Sequence, residues 1–217
     1  MSFKKLLTTG KVWITSDTHF GHKNIMRRTT NWRTQDGEVP VDSTRDFQTI
    51  DQMNNRLVDG INNVVGQDDT LIMLGDVSFG GFDNIGIFLE RLVCHNIHLI
   101  LGNHDTHIEN NRDYVQGRFL SVQHYMEANI SGKDFVLCHY PFQSWHGLAK
   151  GVIHLHGHVH LGSERKFGNG KKMDVGVDGN GLDPYNISDI IKMMDKRPIG
   201  SDMEDDHHLD DLIGVVG

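Results

Sequence analysis

Apolar runs alternate with amphipathic stretches through the first half of the chain. The short runs that predict buried strands are positions 11–16, 71–74 and 97–101. Between the first two, apolar residues recur at steps of three and four and predict a long helix that begins near Asp42 or Ser43. Its apolar positions are Phe47, Ile50, Met53, Leu57, Ile61 and Val64. Positions 85–92 predict a second helix, so the order predicts a mostly parallel sheet covered by helices.

The second half of the chain changes to patterns typical of antiparallel strands. The predicted hairpins are positions 122–130 with 134–138 around Ser131-Gly132-Lys133, and positions 164–167 with 172–175 around Gly168-Asn169-Gly170. Positions 152–155 predict a strand between the hairpins. A closing helix is predicted next, with Asn186 as its N-cap and apolar positions at Ile187, Ile190, Ile191 and Met194. Periodicity is lost from about Pro198 onward.

Length and charge favour one folded domain. The chain has 217 residues and 37% apolar residues, which suits a domain at positions 1–197 followed by an acidic, mobile tail at 198–217. Much of the net charge of -8 comes from six tail acids: Asp202, Glu204, Asp205, Asp206, Asp210 and Asp211. The remaining chain is nearly neutral and lacks the broad basic footprint of a duplex nucleic-acid binder.

The sequence carries few signs of export or of membrane insertion. We find no apolar stretch that approaches the roughly 18 residues of a membrane span, and no apolar core of a secretory signal near the start. The two cysteines, Cys94 and Cys138, are too few and too far apart for a disulfide framework or a paired metal motif. These features predict a cytoplasmic protein.

Short polar motifs follow the apolar runs. They are Asp17-Thr18-His19, Gly75-Asp76, Gly102-Asn103-His104-Asp105, His139 and Gly157-His158-Val159-His160. Loops at the ends of strands build the sites of α/β sheets, and residues two apart in an extended loop project to the same side. Asp76, on a short rigid turn, suits a carboxylate that bridges two ions, while Asn103 offers a neutral oxygen. The histidines favour transition metals over magnesium or calcium. Together the motifs predict a binuclear metal site.

Taken in order, these motifs resemble those of the calcineurin-like metallophosphoesterase superfamily, over Lys11 to His160. Positions 16–25, and the stretch Val175-Gly176-Val177-Asp178 followed by Pro184, look particularly like its small bacterial and phage phosphodiesterase-like branch. The resemblance implies an α/β fold with mixed sheets in a four-layer α/β/β/α sandwich.

The resemblance also implies a role for each motif residue. Asp17, His19 and His160 would hold one ion, and Asn103, His139 and His158 the other, with Asp76 bridging the two. His104 would approach the substrate phosphate as a catalytic residue that stabilises charge or protonates the leaving oxygen. Asp105 would be the catalytic partner that orients His104, because a histidine fixed by a carboxylate is suited to acid catalysis.

The implied activity is that of a binuclear-metal-dependent phosphodiesterase acting on a nucleotide or another small molecule. Two ions about 3.5–4 Å apart can activate a hydroxide and neutralise phosphoryl charge. Protein Ser/Thr phosphatases of this superfamily carry arginines in G-D-x-x-D-R-G and R-G-N-H-E, whereas this chain has Phe79-Gly80-Gly81 and Leu101 there. A phosphomonoesterase and a non-catalytic scaffold of the same fold remain alternatives.

The cofactors and partners follow from the same motifs. We expect two divalent transition-metal ions, with manganese favoured and iron, zinc, cobalt and nickel as alternatives. The expected partner is a small phosphoester substrate, with a nucleotide or a short single-stranded nucleic acid as candidates. We expect no membrane and no obligate protein partner.

The segment after the first motif is the predicted substrate-side element. His22, Arg27 and Arg28 are candidates for binding a phosphate or a nucleobase, because guanidinium groups match phosphate oxygens. A solvated basic helix is an equally good interpretation. His154 and His156, beside the last motif, are predicted to hold metal ligands from behind through hydrogen bonds.

Overall fold

A computed structural model describes residues 3–26, 45–111 and 116–200 of the chain. The start predicted for the first helix near Asp42 or Ser43 and the tail from residue 201 onward lie outside these residues. None of the helices in the described ranges is long and apolar enough to cross a bilayer.

The first sheet has five strands in the order β4-β3-β2-β1-β9. Their bounds are β1 Val12–Thr15, β2 Thr70–Met73, β3 Asn96–Ile100, β4 Ser121–Gln123 and β9 Tyr185–Asn186. The first four strands run parallel to their neighbours, and β9 pairs with β1 in the antiparallel sense. All four residues of β2 are buried, as expected for a central strand covered on both faces.

The second sheet has four strands in the order β5-β6-β7-β8. Their bounds are β5 Tyr125–Ile130, β6 Lys133–Cys138, β7 Ile153–His156 and β8 Lys172–Asp174. Strands β5 and β6 form the predicted hairpin, while β6, β7 and β8 run parallel. Both sheets are therefore mixed, as expected.

Four α-helices complete the described fold. Their bounds are α1 Ile50–Asn62, α2 Phe82–Arg91, α3 Thr106–Glu109 and α4 Ile187–Asp195. Asn186 caps α4 as predicted, its side chain accepting the backbone N–H of Ser188. Helix α1 begins later than predicted because Thr49 and Gln52 form a reciprocal capping box that fixes its first turn.

The two sheets pack face to face on one apolar layer. Side chains of the first sheet in this layer are Val12, Ile14, Ile72, Leu74 and Ile100, and those of the second include Phe135, Leu137, Ile153 and Leu155. The alternate residues of β2 and β3 point the other way, toward α1 and α2. On the outer face of the second sheet, Val136 packs with Trp145, Leu148 and Val152 around a short 3-10 turn. The expected layered sandwich is thus confirmed, with a thin cover on the second sheet.

Two strand predictions need correction. Positions 122–130 are not one strand, because the chain bends at His124 and passes from the first sheet to the second. Residue alternation is the same in both sheets and does not mark such a crossing. The second predicted hairpin is formed only around the bridge between Phe167 and Met173, with backbone bonds from Gly168 N to Lys172 O and from Asp174 N to Lys166 O, because residues 163–165 form a turn.

Candidate metal centre

The motif loops meet where the strands of both sheets end. Asp17 and Asp76 follow β1 and β2, Asn103 follows β3, and His139 and His158 follow β6 and β7. Backbone bonds join the loops within each sheet: Asp17 N donates to Gly75 O at 3.0 Å, and Gly157 N donates to His139 O at 3.0 Å. The two sheets therefore deliver their loops to one place.

Two groups of candidate ligands form there. Asp17, His19 and His160, the first ligand set, have donor atoms that all lie within 4.8 Å of one another. Asp76, His139 and His158, the second ligand set, meet the same criterion. In the first set, His160 Nε2 lies 3.6 Å and His19 Nε2 lies 4.0 Å from Asp17 Oδ1. Each group could hold one ion.

The Asp76 carboxylate joins the two sets. Its Oδ2 lies 3.5 Å from His19 Nε2 and also 3.5 Å from His139 Nε2. Its other oxygen, Oδ1, accepts the backbone N–H of His104 at 2.8 Å, which fixes the orientation of the carboxylate. One oxygen is thus placed between histidines of both sets, the position required of a bridging ligand.

Asn103 belongs with the second set. Its Oδ1 lies 3.1 Å from His139 Nε2 and 2.9 Å from His158 Nδ1. His139 directs Nδ1 at the carbonyl of Leu74, 2.7 Å away, so Nδ1 carries the hydrogen and Nε2 is the nitrogen whose lone pair can bind a metal. That lone pair faces the oxygens of Asn103 and Asp76. Acceptors that converge without a hydrogen between them fit a cation.

Electrostatics at the first set lead to the same conclusion. Within the part of the chain that the structure describes, nothing hydrogen-bonds the buried Nε2 of His19. Burial, together with Arg45 and nearby histidines, holds the pKa of His19 far below its usual range, so the ring is neutral. Burial also raises the pKa of Asp17, despite the nearby histidines that lower it. A cation would relieve both groups.

Backbone strain is concentrated on the candidate ligands. The non-glycine residues with positive φ in the described chain are Asp17 (58°), His19 (48°), Asp76 (53°), Ser131 (52°), His158 (72°), His160 (49°) and Leu182 (73°). Most of them belong to the two ligand sets. Such conformations cost free energy and persist only where the surrounding structure imposes them, which is typical of functional sites.

Close backbone approach explains two of the motif glycines. A Cβ at Gly157 would overlap Ser16 Oγ and Asp17 Oδ2, and a Cβ at Gly102 would overlap Asp76 Oδ1. The backbone N–H of His158 can then reach the Asp17 carboxylate, at 3.1 Å and 3.0 Å from its oxygens. Glycine at these positions lets the loops pack onto the carboxylates directly.

Asp105 holds the backbone of the site and not the ring of His104. Its buried carboxylate accepts three backbone N–H groups, from Asp76 at 2.8 Å, Val77 at 3.0 Å and Gly102 at 2.9 Å. The expectation that Asp105 orients His104 stays a prediction, with the backbone of Asp76 and Gly102 as the connection between them. Burial raises the pKa of Asp105, although the backbone donors oppose that shift.

His104 and His22 lie at the mouth of the first set. His104 is exposed, and its ring centroid lies 5.4 Å from that of His19 in an edge-on arrangement. His22 Nδ1 lies 3.2 Å from His19 Nδ1, and its ring stacks on Phe79. Both residues are near the centre, as the sequence suggested. Arg27 and Arg28 lie outside the described residues.

A buried arginine that the motifs did not reveal supports the first set. Arg45 donates Nε to Asp178 Oδ1 at 2.7 Å and Nη2 to Asp178 Oδ2 at 3.0 Å. It also donates to the carbonyls of Asp17 at 2.6 Å and Thr18 at 3.1 Å. The guanidinium therefore connects the backbone of the loop that carries Asp17 and His19 to Asp178.

Asp178 in turn positions His160. Its Oδ2 lies 2.7 Å from His160 Nδ1, which leaves Nε2 of that ring facing Asp17. Burial alone would raise the pKa of Asp178, but Arg45 and His160 hold it well below its usual range. Burial lowers the pKa of His160, yet Asp178 and Asp17 outweigh it and the net shift is upward. The site thus favours positive charge beside Asp17.

The two flanking histidines have different places. His156 Nδ1 donates to the carbonyl of Gly157 at 2.9 Å, in the loop that carries His158 and His160, so its role in supporting the ligands stays a prediction. His154 is bound instead to Val136 O, at 3.1 Å, and to Phe142 N, at 3.0 Å, on the outer face of the second sheet. The expectation that His154 holds a metal ligand is corrected, since both of its ring nitrogens are hydrogen-bonded to the backbone of Val136 and Phe142.

Known proteins resemble this chain over most of its length. An uncharacterized protein of Methanocaldococcus jannaschii is 28% identical over 194 residues, covering 87% of this chain and 94% of the relative. The gene 66 protein of Mycobacterium phage D29 is 27% identical over 220 residues, covering 89% and 98%. A solved structure of a protein of unknown function from Aquifex aeolicus matches with a TM-score of 0.59 at 22% identity, covering 84% and 98%, which supports the fold.

The family comparison matches nearly the whole described chain. The model of the calcineurin-like phosphoesterases aligns with residues 10–206, a range that contains both ligand sets, His104 and the buried Arg45. The chain therefore belongs to the calcineurin-like phosphoesterase family, and its two ligand sets are candidate sites for divalent metal ions.

Proposed function

We propose that the chain is a phosphodiesterase that uses two divalent metal ions to hydrolyse a phosphodiester of a nucleotide or another small molecule. The observation that carries this proposal is the position of Asp76 Oδ2, 3.5 Å from a histidine nitrogen of each ligand set. A single oxygen shared by two sets of transition-metal donors is the arrangement that a binuclear site requires.

Each ion would have its own donors. Asp17, His19 and His160 would hold one, Asn103, His139 and His158 the other, and Asp76 both. When bound, the ions supply Lewis acidity, neutralisation of phosphoryl charge and an activated water nucleophile. The mixture of imidazole, carboxylate and amide donors favours manganese among the divalent transition metals, with iron, zinc, cobalt and nickel as alternatives.

His104 is the proposed general acid. Asp76 Oδ1 holds its backbone N–H, so the exposed ring stands beside the ligand sets without belonging to either. A ring in this place can donate a proton to the leaving oxygen as the ester bond breaks. Asp105 acts on His104 indirectly, because its carboxylate fixes the backbone of Asp76 and of Gly102.

Charge favours a diester over a monoester. A phosphate monoester carries nearly two negative charges at neutral pH, and arginine forks are well suited to bind it. The positions of the phosphatase arginines hold Gly80 and Leu101 here. The guanidinium of Arg45 is buried beneath the first set and is bound to Asp178 and backbone carbonyls. A diester, with one negative charge, makes a smaller demand.

The test compares bis(p-nitrophenyl) phosphate with p-nitrophenyl phosphate, using metal-stripped chain with and without manganese. We expect manganese-dependent hydrolysis that favours the diester. His104→Ala should lose rate. His124→Ala, which removes an exposed histidine between β4 and β5, should not. Preference for the monoester would make the chain a phosphatase. No turnover with two metals bound per chain would favour a non-catalytic scaffold.

The location of the protein stays a prediction. The described helices do not include one suited to span a bilayer. We place the activity in the cytoplasm, with a small phosphoester as substrate and no obligate protein partner. Fractionation of cells that express the tagged chain would test the location directly.

A further inference from the structure

An exposed aromatic ring stands beside the proposed general acid. Phe79 keeps 39% of its surface exposed, although it lies three residues after the bridging Asp76. Its ring centroid is 5.5 Å from that of His104, and the two ring planes are inclined at 60°. An aromatic ring exposed in this place is available to a planar group bound beside His104.

His22 backs the Phe79 ring. Their centroids are 4.0 Å apart and their planes differ by 9°, so the two rings stack in parallel. The same imidazole lies 3.2 Å from His19 Nδ1, which ties the stack to the first ligand set. One face of Phe79 is thus supported, and the ring remains partly exposed.

The backbone holds Phe79 in this position. Its N–H donates to Phe20 O at 2.8 Å, and its carbonyl accepts the side-chain amide of Asn84 at 2.6 Å. The following residues, Gly80 and Gly81, both have positive φ and turn the chain away toward α2. The backbone that carries the Phe79 ring is therefore fixed, so little conformational freedom is lost when a ligand binds against the ring.

Resting on the proposed function, we propose that Phe79, backed by His22, is a stacking platform for a planar leaving group of the substrate, such as a nucleobase-bearing or aryl group. His104 would protonate the leaving oxygen, so whatever is attached to that oxygen lies next to Phe79. Aromatic side chains take planar groups face to face with little dependence on base identity. The platform therefore selects for planarity next to the scissile bond.

Kinetics on matched esters tests the platform. Methyl phenyl phosphate and methyl hexafluoroisopropyl phosphate have leaving alcohols of similar acidity, and only the first is planar. We expect Phe79→Leu to lower kcat/KM for the phenyl ester by about tenfold, within the range that stacking contributes, and to affect the fluoroalkyl ester much less. Phe79→Tyr should keep the wild-type ratio of kcat/KM between the phenyl ester and the fluoroalkyl ester. An equal loss on both esters, or no loss on either, would overturn the proposal.

Tyr140→Leu provides the matched control. Tyr140 is also an exposed aromatic residue beside the centre, 43% exposed, but it lies 4.9 Å from His158, at the second ligand set. Its removal should leave the ratio between the two esters unchanged. A changed ratio would mean that any aromatic loss near the centre has this effect, and would remove the assignment to Phe79.

A binding measurement separates this proposal from the proposed function. Calorimetric titration of the manganese-loaded chain with AMP and with ribose 5-phosphate compares two phosphates that differ in the base. We expect AMP to bind more tightly, and the advantage to disappear in Phe79→Leu but not in Tyr140→Leu. If the manganese-loaded chain hydrolyses neither the methyl esters nor bis(p-nitrophenyl) phosphate while this binding pattern holds, Phe79 still binds planar groups and the proposed function fails. If both esters are hydrolysed and neither rate depends on Phe79, the proposed function stands and the platform fails.

Discussion

At the scale of single residues, the centre is built by residues whose backbone adopts an unfavourable conformation. Asp17, His19, Asp76, His158 and His160 all have positive φ. Hydrogen bonds hold this strained backbone in place, such as those that the backbone N–H groups of Asp76 and Val77 donate to the Asp105 carboxylate. The donors are therefore arranged before any ion arrives, which reduces the ordering cost of binding.

His104 and the ligands should respond differently to substitution. His104→Ala should keep both metals and lose about 10²–10⁴ in kcat, because a general acid contributes that much and belongs to neither ligand set. Metal content by mass spectrometry and diester hydrolysis give the two readouts. Loss of metal from His104→Ala would refute this division of roles.

Arg45 should act on the metal through Asp178 and His160. A lysine at this position has no planar guanidinium to bind both Asp178 oxygens and two carbonyls. Arg45→Lys should therefore lower the affinity for one of the two ions by about 10–100-fold. Manganese titration measures it. Arg56→Lys is the control, since Arg56 pairs with Asp183 on the surface. Equal weakening in both variants would contradict the proposed role.

At the scale of elements, strand ends deliver the site and caps set the helix limits. Loops that follow β1, β2 and β3 meet those that follow β6 and β7, so each strand contributes one or two donors. The sequence alone predicts this placement, because apolar runs and the polar residues after them are visible in it. The start of α1 was missed, since Asp42 and Ser43 look like caps as readily as Thr49 does.

The capping box of α1 should have a measurable effect on stability. Thr49→Ala removes the side-chain acceptor of the Gln52 N–H, at 3.2 Å, and should lower the free energy of unfolding by about 1 kcal/mol. Urea denaturation of the metal-free chain measures this. Ser188→Ala, at an exposed position of α4, should cost much less. An unchanged midpoint for Thr49→Ala would show that the box does not fix the helix start.

At the scale of the whole molecule, one sandwich joins two sheets that sequence patterns do not separate. Alternation along positions 122–130 is continuous, yet β4 belongs to the first sheet and β5 to the second. Likewise, Arg45 and Asp178 are 133 residues apart, and their contact arises only when the loops are folded together. Local periodicity and motif spacing reveal strands and donors, whereas contacts between distant loops require the three-dimensional structure.

His154 should make the stability of the metal-free fold depend on pH. Phe142 N donates to its Nε2 and its Nδ1 donates to Val136 O, so the ring must be neutral. Burial lowers its pKa to about 3 from 6.5. Between these values the unfolded chain binds a proton that the folded chain does not, so this stabilisation is present above pH 6.5 and is lost as the pH falls toward 3.

Denaturant unfolding at several pH values measures this effect. One proton corresponds to about 1.4 kcal/mol per pH unit, so the decline toward acid should be shallower by up to that slope in His154→Gln. His124→Gln serves as the control for replacing a histidine, because His124 is on the surface. The same slope in wild type and in His154→Gln would exclude His154 as a source of acid sensitivity.

The most direct measurement is the number of manganese ions bound per chain, determined by titration and elemental analysis of wild type and of Asp76→Asn. Because Asp76 Oδ2 is placed between the two ligand sets, we expect two ions in the wild type. In Asp76→Asn we expect weaker binding at both sites and a parallel loss of diester hydrolysis. A wild-type chain that binds one ion, or an Asp76→Asn variant that binds two with unchanged affinity, would contradict a binuclear centre bridged by Asp76.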